Sequence, residues 1–181
     1  MILILGKSDL SIALEKILEN TVIVGKPEYD FSLKEDCDKL VALYTPNVVI
    51  NTFGVIDNNL WNTLTVNYIS PVYLTLKFYE KMNSGSIINI SSAATFWVSY
   101  PGIDTTRLCY NLSKEALSTF GNHVNRQIID DTKNVTITTI EPGKFSSKFN
   151  KYTQSKIVID KIAETIKYAI NNSITNISII K

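Results

Sequence analysis

The chain has 181 residues, of which 45% are hydrophobic and 19% charged, and its formal net charge is +1. A globule of this length buries roughly 70% of the surface its unfolded form exposes, and the low charge with no polar tract argues against intrinsic disorder. Near-neutrality removes any broad attraction for nucleic acid or anionic lipid, and the apolar stretch MILIL stops at Gly6, too short to span a bilayer or form a signal core. A cytoplasmic protein with no nucleic-acid or membrane partner is expected.

Short β-branched runs alternate with longer amphipathic ones in chain order. The spacing predicts strands over 2–5, 21–24, 47–51, 86–90, 135–140 and 176–180, and helices over 10–19, 33–44, 60–81, 106–130 and 155–171. Runs such as ILIL and VVI are apolar throughout, as strands buried on both faces are, so helices should cover both sides of the sheet. The expected fold is one α/β domain over residues 1–181. It is a Rossmann-like, doubly wound three-layer sandwich with a mainly parallel sheet of about six strands. Right-handed crossovers then gather functional residues in the loops after Leu5, Asn51, Ile90 and Ile140.

In the first of these loops, Gly6, Ser8 and Ser11 fall at the spacing of a GxGxxG dinucleotide fingerprint in which serine replaces two glycines. Small residues there let a pyrophosphate approach the amides of a helix N-terminus. An ordinary strand-to-helix turn with Ser8 or Asp9 as N-cap fits the same residues. After the second strand comes Lys26, where an acid for the ribose hydroxyls is usual, so the pattern leans towards NADP(H) over NAD(H). Lys7 and Lys26 can neutralise a 2′-phosphate. Asp30 can contact the adenine or cap the next helix. Cys37 and Cys109 belong to no CxxC pair or metal-spaced cluster and read as reduced thiols.

Further along come NTFG, VNYISP, SGSIINISS, YNLSK and EPG. Three tyrosines precede a lysine by four residues: Tyr73 with Lys77, Tyr110 with Lys114, and Tyr152 with Lys156. Only Tyr110 follows the Ser-Ser strand end and continues as Ser113, Lys114, Glu115, Ala116, Leu117. In this order the motifs resemble the short-chain dehydrogenase/reductase family, over nearly the whole chain. The resemblance implies hydride transfer between a nicotinamide dinucleotide and a small carbonyl or alcohol. In that scheme Tyr110 is the acid/base, Lys114 lowers its pKa and contacts the ribose, Ser92 orients the substrate oxygen, and Asn67 supports a water relay. It also places Asn51, Gly54, Pro142, Gly143 and Ser147 on the cofactor. Elementary chemistry agrees with the types, since a phenol titrates near ~10 unless a cation stabilises its anion.

Three departures from the family pattern stand out. The segment from Ser92 to Tyr110 is long and contains Phe96, Trp97, Tyr100 and Pro101, which fits a lid or substrate wall as well as a surface excursion or dimer contact. One strand-helix unit between Val24 and Asn47 is shortened or missing, and so is most of the substrate flap after Ser147. The resemblance further implies a homo-oligomer paired through helices 60–81 and 106–130, with His123 on the second of them facing solvent or the partner. A rival reading is a dinucleotide-binding regulatory or scaffold protein that kept the fold and lost turnover.

Overall fold

The computed structural model describes residues 1–93, 104–127, 132–143 and 158–179. Its elements are β1 (Ile2–Leu5), α1 (Asp9–Glu15), β2 (Thr21–Val24), α2 (Lys34–Leu43), β3 (Val48–Asn51), α3 (Leu60–Leu64), α4 (Ser70–Lys81), β4 (Ser84–Ile90), α5 (Thr105–Gln127), β5 (Asn134–Pro142), α6 (Ile159–Asn172) and β6 (Asn176–Ile179). Six strands form one sheet in the order β2-β1-β3-β4-β5-β6, and every neighbouring pair is parallel.

The unbroken apolar strands work because successive side chains enter opposite layers. Ile4, Val48, Ile50, Ile88 and Ile140 pack with Leu10, Leu14, Ile162 and Ile166 of α1 and α6. Leu3, Leu5, Val49, Ile87 and Ile137 pack on the other side with Leu40, Leu74, Phe78 and Val124 of α2, α4 and α5. These are the three expected layers. A two-halved Rossmann sheet commonly runs 3-2-1-4-5-6. Here the chain between Val24 and Val48 contains α2 and no strand, so β2 becomes the edge of the sheet. The shortening visible in the sequence is the loss of that outer strand.

Two of the differences from the expected helices have local reasons. The first helix, expected over 10–19, ends at Glu15 because the chain must reverse into β2, and Asn20 makes the reversal at φ 54. The span 60–81 is helical throughout but contains a π turn, Thr65–Ile69, between α3 and α4. Pro71 has no N–H for the carbonyl of Asn67 four residues earlier, and its ring crowds that carbonyl, so the helix widens there. Ser70 N bonds Thr65 O across the widened turn. The last helix, expected over 155–171, is described over Ile159–Asn172, and residues 144–157 lie outside the described set. Among the described residues, no helix is long and apolar enough to cross a membrane.

Candidate active site

A cleft of about 700 Å³ opens at the carboxyl ends of β1, β3 and β4. Its β1 wall is the turn Gly6-Lys7-Ser8 and its β3 wall the turn Thr52-Phe53-Gly54. Gly6 has φ +110, and a Cβ there would lie 2.7 Å from the Phe53 backbone nitrogen, so only glycine fits. Thr52 Oγ1 donates to Leu5 O at 2.9 Å and to Gly6 O at 3.1 Å, tying the two turns together. A Cβ on Gly54 would meet Asn67 Oδ1 at 3.2 Å and Lys114 Nζ at 3.8 Å. Both glycines leave a cradle where a side chain would intrude, and the cleft volume suits a dinucleotide.

Ser8 and Ser11 form a reciprocal capping box on α1. Ser11 N donates to Ser8 Oγ at 3.2 Å, and Ser8 N donates to Ser11 Oγ at 2.7 Å. Ser8 therefore both lines the cleft and caps the helix, while Ser11 is buried behind it and does not line the cleft.

At the β2 end both expected phosphate-binding lysines line the cleft, and both are ion-paired. Lys7 Nζ meets Glu28 Oε2 at 2.6 Å, and Lys26 Nζ meets Asp30 Oδ2 at 2.9 Å. The hydrogen bond from Lys7 holds the exposed Glu28 carboxyl below its usual range. For Asp30, burial raises the pKa, but the bonds from Lys26 and Ser32 outweigh it and the net shift is downward. Ser32 N and Oγ donate to Asp30 Oδ1 at 3.0 and 2.8 Å. Asp30 does not cap α2, whose N-cap is Leu33 without a side-chain bond. Phe31 and Phe53 stack at 4.0 Å in the same wall.

The other end of the cleft holds Ser91, Tyr110 and Lys114. Tyr110 and Lys114 lie one turn apart on α5, and Lys114 Nζ sits 5.9 Å from the Tyr110 ring centroid. Lys114 is buried and donates to Ile90 O at 2.8 Å; burial alone pushes its pKa down to about 8. Burial raises the Tyr110 pKa, and a side-chain hydrogen bond with Ser92 opposes the rise. Ser91 does a different job from its neighbour: its Oγ donates to Lys114 O and meets Ser118 Oγ, each at 2.7 Å, docking α5 on the end of β4.

Asn67, carried by the π turn, reaches both sides of this end. Its Oδ1 accepts from Val55 N and its Nδ2 donates to Val55 O, both at 2.8 Å, and Nδ2 also donates to Ser113 Oγ at 3.1 Å. Ser113 Oγ in turn donates to Tyr110 O at 2.7 Å. The side chain thus clamps the β3 turn to the helix of Tyr110, and both of its N–H donors are used in doing so.

Several expected cofactor contacts lie elsewhere. Asn51 is 2% exposed within the sheet, where its Nδ2 donates to Asn89 Oδ1 at 2.6 Å, and it does not line the cleft. Pro142 ends β5 and Gly143 follows it; neither is among the described residues lining the cleft. Ser147, the aromatic segment with Phe96, Trp97, Tyr100 and Pro101, and the Tyr152–Lys156 pair fall outside the described residues. Sequence reasoning missed Thr52, Ser113, Glu28 and the Phe31–Phe53 stack. The hydroxyl two residues before Gly54 and the serine before Lys114 were the available signals.

A sequence model described as short chain dehydrogenase matches residues 34–157, more than half of the chain. Among curated proteins no sequence matches. The fold superposes on a short-chain dehydrogenase from Burkholderia cenocepacia J2315 in complex with NADP, with a TM-score of 0.82 and 15% identity over 98% of this chain and 95% of that one. It also resembles a 4-hydroxyisoleucine dehydrogenase complexed with NADH, at TM-score 0.79 and 20% identity over 98% and 96%. A short-chain dehydrogenase/reductase from Serratia marcescens gives 0.81 and 17% over 98% and 95%. Likeness at such low identity shows the fold. The family match, together with a Rossmann sheet shortened beside β2, makes this chain a member of the short-chain dehydrogenase family.

Proposed function

We propose that the protein is a single-domain NAD(P)(H)-dependent oxidoreductase that prefers NADP(H) and reduces a small carbonyl, or oxidises the matching alcohol. The observation that supports this most is the pairing of Tyr110 with Ser92 beside a buried lysine, at the end of a glycine-walled cleft.

In this reading Gly6 and Ser8 hold the pyrophosphate at the start of α1, Lys7 and Lys26 take the 2′-phosphate, and Gly54 with Lys114 faces the nicotinamide ribose. The family pattern assigns Pro142, Gly143 and Ser147 to the nicotinamide end of the cofactor. When bound, the nicotinamide supplies or accepts the hydride. Ser92 Oγ and the Tyr110 hydroxyl converge on the substrate oxygen, and Tyr110 gives it a proton as charge builds there. The Lys114 ammonium has three donors, of which Ile90 O takes one; the others support the phenolate and the ribose hydroxyls. Asn67 keeps the β3 turn and α5 in register for these contacts.

The apolar side chains of Leu76, Leu112 and Phe120 along α4 and α5 border a groove of about 800 Å³ with Tyr68 and His123. An isologous homodimer through this face is the assembly we favour.

The decisive experiment is Tyr110→Phe, assayed with NADPH against a panel of carbonyl substrates. Turnover should fall at least ~100-fold while NADPH affinity persists. Full turnover by the variant would overturn the assignment.

A further inference from the structure

β2 ends the sheet, and among the described residues no strand lies beyond it. Its bonds to β1 use every second residue. Ile2 N donates to Asn20 O and Gly6 N to Val24 O, so in this parallel ladder Val22 also faces β1. The N–H and C=O groups of Thr21 and Ile23 therefore point away from the sheet, and among the described residues no backbone group bonds them. Proteins usually blunt such an edge with charge, proline or a bulge. Here Thr21, Val22, Ile23 and Val24 are uncharged and β-branched, and the first three are only partly buried. We infer that β2 is a self-pairing edge: a second copy of this chain adds its own β2 antiparallel, about a two-fold axis at Val22, and joins the two sheets into one. This edge shares no residue with the groove along α4 and α5, and its pairing is independent of what the cleft binds.

A second copy fits because the edge is complementary to itself. With Val22 opposite its own copy, Thr21 of each chain faces Ile23 of the other. Each such pair exchanges two N–H···O bonds, so every outward group of the strand is satisfied. The charges agree as well. Antiparallel strands bring the Glu19 end of one β2 to the Lys26 end of the other, once on each side of the axis, and both side chains are exposed. The two apolar layers also run out at this edge on side chains that are only partly buried: Ile17, Leu18 and Ile23 on the α1 side, Val22, Tyr29 and Tyr44 on the α2 side. A second copy continues both layers across the axis, whereas a lone extended peptide would supply the hydrogen bonds without the helices that cover them.

The test is a cysteine at the axis. Opposite residues of a non-hydrogen-bonded antiparallel pair have Cα atoms about 4.5 Å apart, within disulfide reach. Val22→Cys should therefore give a covalent dimer under mild oxidation, while Leu43→Cys, 65% exposed on α2, should run as a monomer on non-reducing gels. Cys37 and Cys109 are buried and supply no background. Ile23→Pro removes an outward donor and leaves the bonds to β1, so it should weaken the edge association at least ~10-fold in sedimentation over a concentration series. Glu19→Lys, at an exposed position that does not endanger folding, should weaken it too, and adding Lys26→Glu should restore it. Leu112→Glu, in the groove along α4 and α5, should leave the Val22→Cys cross-link intact, which tells the two faces apart. A Val22→Cys cross-link no faster than that of Leu43→Cys would overturn the inference. Association within about twofold of native in both Ile23→Pro and Glu19→Lys would do the same. A native chain that shows no self-association but binds an extended peptide at β2 would give the edge to another protein.

Discussion

Lys114 is 5% exposed, and its ammonium bonds Ile90 O at 2.8 Å. Burial lowers its pKa from 10.5 to about 8, equivalent to roughly 3 kcal/mol spent on keeping a charge out of water. Below pH 8 both folded and unfolded chains carry the proton and the cost is present in full. Between pH 8 and 10.5 the unfolded chain still holds a proton that the folded chain has released, so native stability rises with pH across that window. Lys114→Met keeps the bulk and removes the titration. At pH 7 the gain from deleting the charge is offset by leaving the Ile90 carbonyl without its donor, about 1–3 kcal/mol, so the variant should lie between equal to and about 2 kcal/mol more stable than native, and be inactive. Urea unfolding at pH 7 and pH 10 reads both numbers. The native protein should gain about 2–3 kcal/mol relative to the variant between the two pH values. Parallel pH dependences would refute the buried-charge account of Lys114.

Gly6→Ala forces a side chain to φ +110 against the Phe53 backbone; it should cost at least ~2 kcal/mol in thermal or urea unfolding and abolish nucleotide binding in a titration. Asn67→Ala frees Val55 N and O in the partly buried cleft wall and should cost about 2 kcal/mol in urea unfolding, whereas Ser113→Ala, which removes one of the three bonds, should cost about 1 kcal/mol.

The strands were legible because a doubly covered parallel sheet demands unbroken apolar runs. The first two, over 2–5 and 21–24, match residue for residue. The missing outer strand could also be read, as a chain too short between Val24 and Val48 to make another crossover. The π turn at Asn67 was hidden, because it depends on which carbonyl Pro71 confronts once the helix has formed. The closeness of Tyr110, Lys114 and Ser92 was legible because their motifs fall on one helix and one strand end. The partners of Asn51 and of the two lysines were not legible. Asn51 faces Asn89, its register partner 38 residues away, and Lys7 faces Glu28 only because the turn after β2 folds back across the cleft. The paired serines of the first loop supported two readings in sequence, and Ser8 supplies part of each: it caps α1 and it lines the cleft.

The most direct test of the central claim is titration of the purified protein with NADPH and, separately, NADH, followed by nicotinamide fluorescence or by heat. Saturable binding of both, tighter for NADPH, is the predicted result; no binding of either would contradict it and leave a short-chain dehydrogenase fold without its cofactor.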